Sequence, residues 1–280
     1  MTTAVLLMAY GTPPGEADIE PYYTHIRHGD PPPPELLDEL TERYRAIGGL
    51  SPLLELSRRQ AAALEAFVGV PVVLGMKHAT PFIEDALDEL IMRGVDEIVG
   101  VVLAPHYSTM SVAQYEGRVR THLESIENAP RFTMILSWHT APGYLSFLSG
   151  AVDEALHRVS PEKLEETHVI FSAHSLPERI LADDDPYPQQ LTQTANAVGV
   201  LTGWPRWSTA WQSAGRTAAT WLGPDILDEM RALADAGTKA IVICACGFVT
   251  DHLEVLYDID IEAQARAWEL GIELVRTKSP

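Results

Sequence analysis

The chain has 280 residues, 46% of them hydrophobic and 21% charged, which is a globular composition with enough length for one large or two modest domains. Its formal net charge of −19, without a cluster of Lys and Arg, argues against nucleic-acid binding. No apolar run is long enough to span a bilayer, and Met1–Tyr10 lacks the basic flank of a signal peptide, so we expect a cytoplasmic protein.

Apolar segments alternate with amphipathic ones along the whole chain. Helices are predicted between the strands, for example at Pro81–Arg93 and Ile226–Ala236. This alternation predicts an α/β protein with parallel sheets covered by helices, in two similar halves of four strands each. The pattern breaks near Ser137–Gly143, so we predict two domains, 1–139 and 140–280. The predicted strands are Thr3–Met8, Val70–Met76, Ile98–Leu103, Thr133–Leu136, Thr167–Ser172, Ser208–Trp211, Ala240–Cys246 and Ile272–Val275.

The two cysteines, Cys244 and Cys246, lie in one of these apolar strands. A disulfide across a single intervening residue would be strained, and two thiolates are too few to hold an iron–sulfur cluster. We therefore predict small buried strand residues at both positions.

Two histidines stand where a strand ends. His106 and His174 both follow an apolar strand, and the carboxyl edge of a parallel sheet is where ligands bind. A buried, hydrogen-bonded structural histidine explains either position equally well. Strand position alone does not distinguish them.

Three carboxylates follow the strand that ends at Cys246. Glu254, Asp258 and Glu262 are spaced four residues apart, which predicts one acidic ladder along a helix. Like charges at this spacing repel, so the ladder is either a solvated face or a path for cations. Its position after a strand favours cations.

Ser-Ala-His-Ser-Leu-Pro at 172–177 and Gly-Phe-Val-Thr-Asp-His-Leu-Glu-Val-Leu-Tyr-Asp at 247–258 are two long motifs that begin at or after the end of a predicted strand. They resemble the two signature segments of the ferrochelatase family, and the likeness, which is greatest to its bacterial coproporphyrin III branch, continues in order along nearly the whole chain. The matching shorter motifs are Tyr-Gly-Thr-Pro at 10–13, Tyr-Tyr-Thr-His-Ile-Arg at 22–27, Gly-Gly-Leu-Ser-Pro-Leu at 48–53, Lys-His before Pro81, Ala-Pro-His-Tyr-Ser at 104–108 and Trp-Gln-Ser at 211–213.

The resemblance implies two Rossmann-like, chelatase-type domains with a porphyrin cleft between them. It implies that His174 is the catalytic base and that Glu254 assists deprotonation or metal transfer. The implied metal-binding set is His174, Glu254, Asp258 and Glu262, with the last two delivering iron. The implied substrate-binding residues are Tyr10 on the opposite face of the ring, Arg27 and Arg43 for the propionates, and Ser51 and Tyr115 as hydroxyl donors.

The implied activity is insertion of ferrous iron into coproporphyrin III during haem biosynthesis. Porphyrin and Fe²⁺ are then substrates, with no tightly bound cofactor and no iron–sulfur cluster. Neighbouring haem-pathway enzymes are candidate partners, and we expect a monomer. Three alternatives stay open: a protoporphyrin IX ferrochelatase, a chelatase for another tetrapyrrole or metal such as a cobalt-inserting enzyme, and a non-catalytic porphyrin or haem carrier. Arg43 has its own alternative, an ion pair with Glu39 or Glu42 on the same helix.

Overall fold

A computed structural model describes residues 2–280, which fall into two compact units. The first unit contains the residues up to Ala104, Ser111–Leu136 and Thr250–Leu253. The second contains Pro105–Met110, Ser137–Val249 and Glu254–Pro280. The main division, between Leu136 and Ser137, lies beside the segment where the sequence pattern breaks.

Four strands and five helices make up most of the first unit. The strands alternate with helices, and their apolar residues fill the interior of the sheet. The bounds are β1 Thr3–Ala9, α1 Ile19–Ile26, α2 Pro34–Ala46, α3 Leu53–Val68, β2 Val72–Met76, α4 Ile83–Met92, β3 Glu97–Val102, α5 Val112–Glu124 and β4 Arg131–Ile135.

The second half of the chain repeats the alternation with one irregular helical stretch. Its bounds are α6 Pro142–Leu156, β5 Thr167–His174, α7 Tyr187–Thr202, β6 Trp207–Gln212, α8 Ile226–Asp235, β7 Ala240–Cys244, α9 Leu253–Leu256, a π-helical segment Asp258–Ala263, α10 Gln264–Leu270 and β8 Glu273–Arg276. Short 3₁₀ turns lie at Glu16–Asp18, Pro161–Glu166 and Glu178–Asp183.

Both sheets are parallel and have the same topology. The strand orders are β2-β1-β3-β4 and β6-β5-β7-β8. In each sheet the second strand lies on one side of the first, and the third and fourth strands lie on the other side. The direction of the strand order therefore reverses between the first and third strands. Open parallel sheets bind ligands at the carboxyl ends of the strands beside such a switch.

Central and edge strands differ in burial as their sequences predict. Every residue of β7, which lies between β5 and β8, is buried, whereas the edge strand β4 alternates between exposed and half-buried. The predicted α/β fold of two four-stranded parallel sheets flanked by helices is confirmed. Each predicted strand forms with its ends shifted by at most two residues. Cys244 and Cys246 are fully buried free thiols.

The three acidic residues lie on helical chain, but not on one regular α-helix as their spacing predicts. Glu254 lies in the short helix α9, and a π-helical segment begins at Asp258. In this segment the amides of Ile261 and Glu262 both donate to the carbonyl of Tyr257, at 3.2 and 3.0 Å. The i→i+5 bonding of a π segment gives more residues per turn than an α-helix, so residues four apart still lie on one side of it. Among the described residues, no helix is both long and apolar enough to cross a membrane.

Candidate catalytic site

His174 and Glu254 meet at the switch point of the second sheet. His174 is the last residue of β5, and Glu254 lies in the helix that follows β7, the neighbouring strand. His174 Nε2 lies 3.5 Å from Glu254 Oε1, and each side chain is about one-third exposed, at 33% and 34%. The pair is therefore ordered by the sheet edge and still reachable by a ligand.

The imidazole of His174 has one nitrogen fixed and one available. Nδ1 contacts the backbone carbonyl of Ser175, and because a carbonyl only accepts, Nδ1 carries the hydrogen. Nε2, the nitrogen that faces Glu254, is thus the atom that gains or loses a proton. The hydroxyl of Tyr187 donates to the His174 carbonyl at 3.0 Å and holds the main chain at this point.

The charge state of His174 depends on Glu254. Burial opposes the charged imidazolium, but the Glu254 carboxylate, the Ser175 carbonyl and Asp258 outweigh it and raise the pKa of His174 to about 9. The resting pair at neutral pH is therefore an imidazolium beside a carboxylate. The pKa of His174 thus lies well above the usual value for histidine, about 6.5.

A glycine lets the turn after β7 approach β5 beside His174. The amide of Gly247 donates to the carbonyl of Ser172 at 2.9 Å. A Cβ at position 247 would lie 2.6 Å from the Cα of Ala173, which no side chain tolerates. The close approach brings the chain towards Glu254 alongside the end of β5.

In the part of the chain that the structure describes, Asp258 and Glu262 are not arranged with the His174–Glu254 pair as one metal-binding group. Asp258 is buried, with 5% exposure, and its Oδ2 accepts a hydrogen bond from Ser213 Oγ. Ser213 has a left-handed φ of 60°, which costs a non-glycine residue on the order of 1 kcal/mol. Glu262 is half-buried. Within residues 2–280, no group of three or more His, Cys, Asp or Glu side chains is arranged to hold a metal ion.

His106 has the surroundings of a structural histidine. It is 1% exposed, and its Nε2 lies 2.9 Å from Thr194 Oγ1. That hydroxyl donates to the carbonyls of His139 and Gln190, so His106 must donate to it and its Nδ1 is unprotonated. Burial lowers the pKa of His106 to about 3, with a further contribution from His139. The strand pattern does not distinguish His106 from His174, but their surroundings do: His106 is buried, whereas His174 is partly exposed.

Tyr10 belongs to a separate cluster in the first unit. It follows β1 and is 43% exposed, and its ring packs on His78 with the centroids 4.6 Å apart. His78 Nδ1 lies 3.0 Å from His25 Nδ1, so one of these nitrogens must be unprotonated. Burial lowers the pKa of His78 to about 3, and it also lowers the pKa of His25.

Lys77 is a partly buried cation in this cluster. Its Nζ donates to Gln114 Oε1 at 2.5 Å and lies 5.2 Å from the ring centroid of Tyr115. Burial and the nearby Arg118 lower the pKa of Lys77 to about 8. The ammonium therefore has an amide, not a carboxylate, as its hydrogen-bond partner.

The remaining predicted substrate contacts are dispersed over the first unit. Arg27 pairs with Asp30 at 2.8 Å, and Arg43 pairs with Glu39 at 3.3 Å, the alternative that its helix position allows. Ser51 is half-buried and its Oγ accepts from the amide of Leu53, at 3.3 Å, at the start of α3. Tyr115 is only 4% exposed, and burial raises the pKa of its phenol.

Five residues that the sequence analysis did not single out contact the His174–Glu254 site or the group around Tyr10. Ser213 holds Asp258 in the second unit, and Gln212 contacts the main chain of Glu254. Lys77, His78 and His25 surround Tyr10 or its neighbours in the first unit. All five lie within the short motifs that carry the family resemblance, and that was the only signal available for them.

Solved structures of chelatases share this architecture. SirB from Bacillus subtilis, solved with Fe³⁺, superposes with a TM-score of 0.60 and 13% sequence identity, covering 98% of this chain and 88% of that one. The sirohydrochlorin chelatase SirB from Bacillus subtilis subspecies spizizenii, in complex with cobalt, gives 0.58 and 11% over 99% and 87%. At these identities the likeness defines a chelatase-type fold and nothing finer.

The ferrochelatase family model matches residues 2–280, so the chain belongs to the ferrochelatase family. Curated relatives are similar in sequence to this chain over nearly its full length. The coproporphyrin III ferrochelatase of Halalkalibacterium halodurans is 45% identical over 99% of this chain and 91% of the relative. That of Anoxybacillus flavithermus is 44% identical over 99% and 90%.

Proposed function

We propose that this protein is a ferrochelatase that inserts Fe²⁺ into coproporphyrin III, giving coproporphyrin-iron for haem biosynthesis. The observation that carries the proposal is the His174–Glu254 pair at the carboxyl edge of the second sheet, in a chain that matches the family from end to end. Both side chains are partly exposed, so a ligand at this edge can reach them.

Metallation makes three chemical demands on the protein. The porphyrin must bend so that its nitrogen lone pairs point out of the plane, two pyrrole protons must leave, and Fe²⁺ must lose its water ligands. A binding site that is complementary to the bent porphyrin uses part of the binding energy to distort the ring. The other two need groups that exchange protons and hold a metal weakly.

His174 and Glu254 suit the proton transfers. The contact of Nδ1 with the Ser175 carbonyl leaves Nε2 as the nitrogen that exchanges a proton, and the Glu254 carboxylate adjoins it. Because the resting imidazolium already carries a proton on Nε2, it must first pass that proton to the adjoining carboxylate or to solvent, and Nε2 can then accept a proton from a pyrrole nitrogen. Imidazole and carboxylate also bind Fe²⁺ less tightly than thiolates do, so the ion can be transferred to the porphyrin.

We assign iron delivery to Asp258 and Glu262. Asp258 is fixed by Ser213 in the π-helical segment, one turn beyond Glu254 in the chain, and Glu262 is more exposed. Oxygen ligands suit a transient site for a hard or borderline cation. The two carboxylates form the outer part of the proposed path, and Glu254 forms its inner end.

Recognition of coproporphyrin must rely on local cations. The substrate has four propionates, and a protein with net charge −19 repels anions at long range. Arg27 and Arg43 are held by carboxylates on their own segments, in partly exposed pairs that contribute at most about 1 kcal/mol each and can exchange for a propionate. Lys77, whose ammonium donates to the side-chain amide of Gln114, is a third candidate.

Tyr10, Ser51 and Tyr115 are proposed as further substrate contacts. The 43% exposure of Tyr10 leaves its ring available to the face of a macrocycle, on which it would stack. Ser51 is partly accessible, whereas the nearly buried Tyr115 would act mainly by supporting Lys77.

The test is an anaerobic assay of the purified protein with Fe²⁺ and either coproporphyrin III or protoporphyrin IX, followed by the change in the porphyrin absorption spectrum. We expect turnover of coproporphyrin III with a clear preference over protoporphyrin IX. A preference for protoporphyrin IX would overturn the substrate assignment. Tight porphyrin binding without metallation would identify a carrier instead.

A further inference from the structure

We propose that Gln212 is a positioning residue that sets the separation between His174 and Glu254. The inference rests on the proposed function of this pair, but it concerns a side chain that is only 1% exposed. The feature behind it is a buried amide that hydrogen-bonds to the strand carrying His174 and to the main chain of Glu254.

The main chain of Gln212 lies directly beside His174. Gln212 is the last residue of β6, and it is paired with His174 in the parallel register of β5 and β6. Its carbonyl accepts from the amide of Ser175 at 2.7 Å. The end of β5 is therefore held by Gln212 on the C-terminal side of His174.

The side chain of Gln212 extends this hold in two further directions. Ser172 Oγ donates to Gln212 Oε1 at 2.9 Å, and Gln212 Nε2 donates to the carbonyl of Glu254 at 3.0 Å. Because the Glu254 carbonyl can only accept, the NH₂ group must face it, which fixes the orientation of the amide. One side chain thus links the residue two before His174 to the residue that carries its partner carboxylate.

Burial makes this link rigid. Gln212 is 1% exposed and Ser172 is fully buried, so water is not available to replace either hydrogen bond. Glu254 lies in a four-residue helix followed by a π-helical segment, a stretch with little regular helix of its own. A tie from β6 to its main chain is therefore well placed to determine where the carboxylate stands relative to Nε2.

The alternative is that Gln212 only stabilises the fold. Removal of the amide has a different effect under each role. Loss of stability alone would lower the melting temperature and leave the turnover of each folded molecule intact. Loss of positioning would lower kcat at unchanged porphyrin affinity, since misplaced supporting groups typically cost about 10- to 100-fold in activity.

The experiment compares Gln212→Met, which keeps the length but removes both amide hydrogen bonds, with Met230→Ala. Met230 is fully buried in the core of the second unit, so this control lowers stability without touching the link. For each variant we would measure melting temperature, porphyrin affinity by fluorescence quenching, and kcat and KM in the anaerobic assay. We expect kcat of Gln212→Met to fall about 10- to 100-fold with porphyrin affinity within about twofold, and kcat of Met230→Ala to stay near wild type.

Two further measurements keep the inference open to refutation. Ser172→Ala removes only one arm of the link and is expected to lower kcat by a smaller factor, which provides a test even if Gln212→Met does not fold. A crystal structure of the Gln212→Met or Ser172→Ala variant should show the His174–Glu254 separation increased beyond 3.5 Å. An unchanged separation, or equal losses of kcat in Gln212→Met and Met230→Ala, would overturn the inference. Absence of metallation by the wild type would instead overturn the proposed function.

Discussion

His106 contributes to the dependence of the protein's stability on pH, and replacing it should remove that contribution. An exposed histidine takes up a proton near about pH 6.5. In the folded protein, burial lowers the pKa of His106 to about 3. As pH falls below about 6.5 the unfolded chain binds a proton that the folded chain cannot, so stability is lost progressively until the pH approaches the folded pKa.

The magnitude follows from these two values. At about pH 5 the unfolded state gains about 2 kcal/mol from protonation of this one histidine, whereas the folded state gains almost nothing. At about pH 7.5 neither state is appreciably protonated and the contribution is close to zero. His106→Gln should therefore flatten the loss of unfolding free energy over this range by about 2 kcal/mol, apart from any constant cost of the altered contact with Thr194.

The assay is urea unfolding followed by far-UV circular dichroism at several pH values and constant ionic strength. His157→Gln is the matched control, because His157 is an exposed residue at the end of α6 and the composition change is the same. We expect the control to follow the wild-type pH dependence. Parallel curves for His106→Gln and wild type would refute the reasoning, since they would show that His106 does not resist protonation in the fold.

Three predictions concern metallation. His174→Ala should abolish iron insertion while porphyrin binding and melting temperature stay near wild type; turnover at the wild-type rate would show that another group is the base. Asp258→Asn combined with Glu262→Gln should raise the KM for Fe²⁺ several-fold, about 3- to 10-fold, and change that for porphyrin less. An unchanged iron dependence would remove the proposed delivery path. Arg27→Ala should reduce the preference for coproporphyrin III over protoporphyrin IX in direct competition, and an undiminished preference would exclude Arg27 as a propionate contact.

The strands and the gross fold were predictable because they depend on local sequence. β1 and β7 are continuous apolar runs, since both lie between two other strands, and the parallel order follows from the helices between them. The burial of Cys244 and Cys246 follows from the same run. Here one physical rule, burial of apolar side chains, decides both the local and the global structure.

The arrangement of the site was less accessible to sequence reasoning. A four-residue spacing predicts an α-helix, and nothing in the spacing of Glu254 and Asp258 indicates the π-helical segment between α9 and α10. Ser213, which holds Asp258, is 45 residues away in sequence. The raised pKa of His174 likewise depends on a carboxylate from another strand–helix connection. Each of these is a tertiary contact, and only the family motifs hinted at the residues involved.

The carboxylate of Asp185 binds a segment of the chain that lies far from it in sequence. Its Oδ2 accepts from Ser108 Oγ, at 2.9 Å, and from the amide and hydroxyl of Thr109, at 2.7 Å each. These hydrogen bonds attach Pro105–Met110 to the rest of the second unit. The chain then returns to the first unit at Ser111, and it does so again at Thr250–Leu253. Neither unit is one continuous stretch of chain, so a gene cut at the middle would separate each half from part of its own structure. During translation the last segment of the first unit, Thr250–Leu253, leaves the ribosome only after most of the second unit has been made.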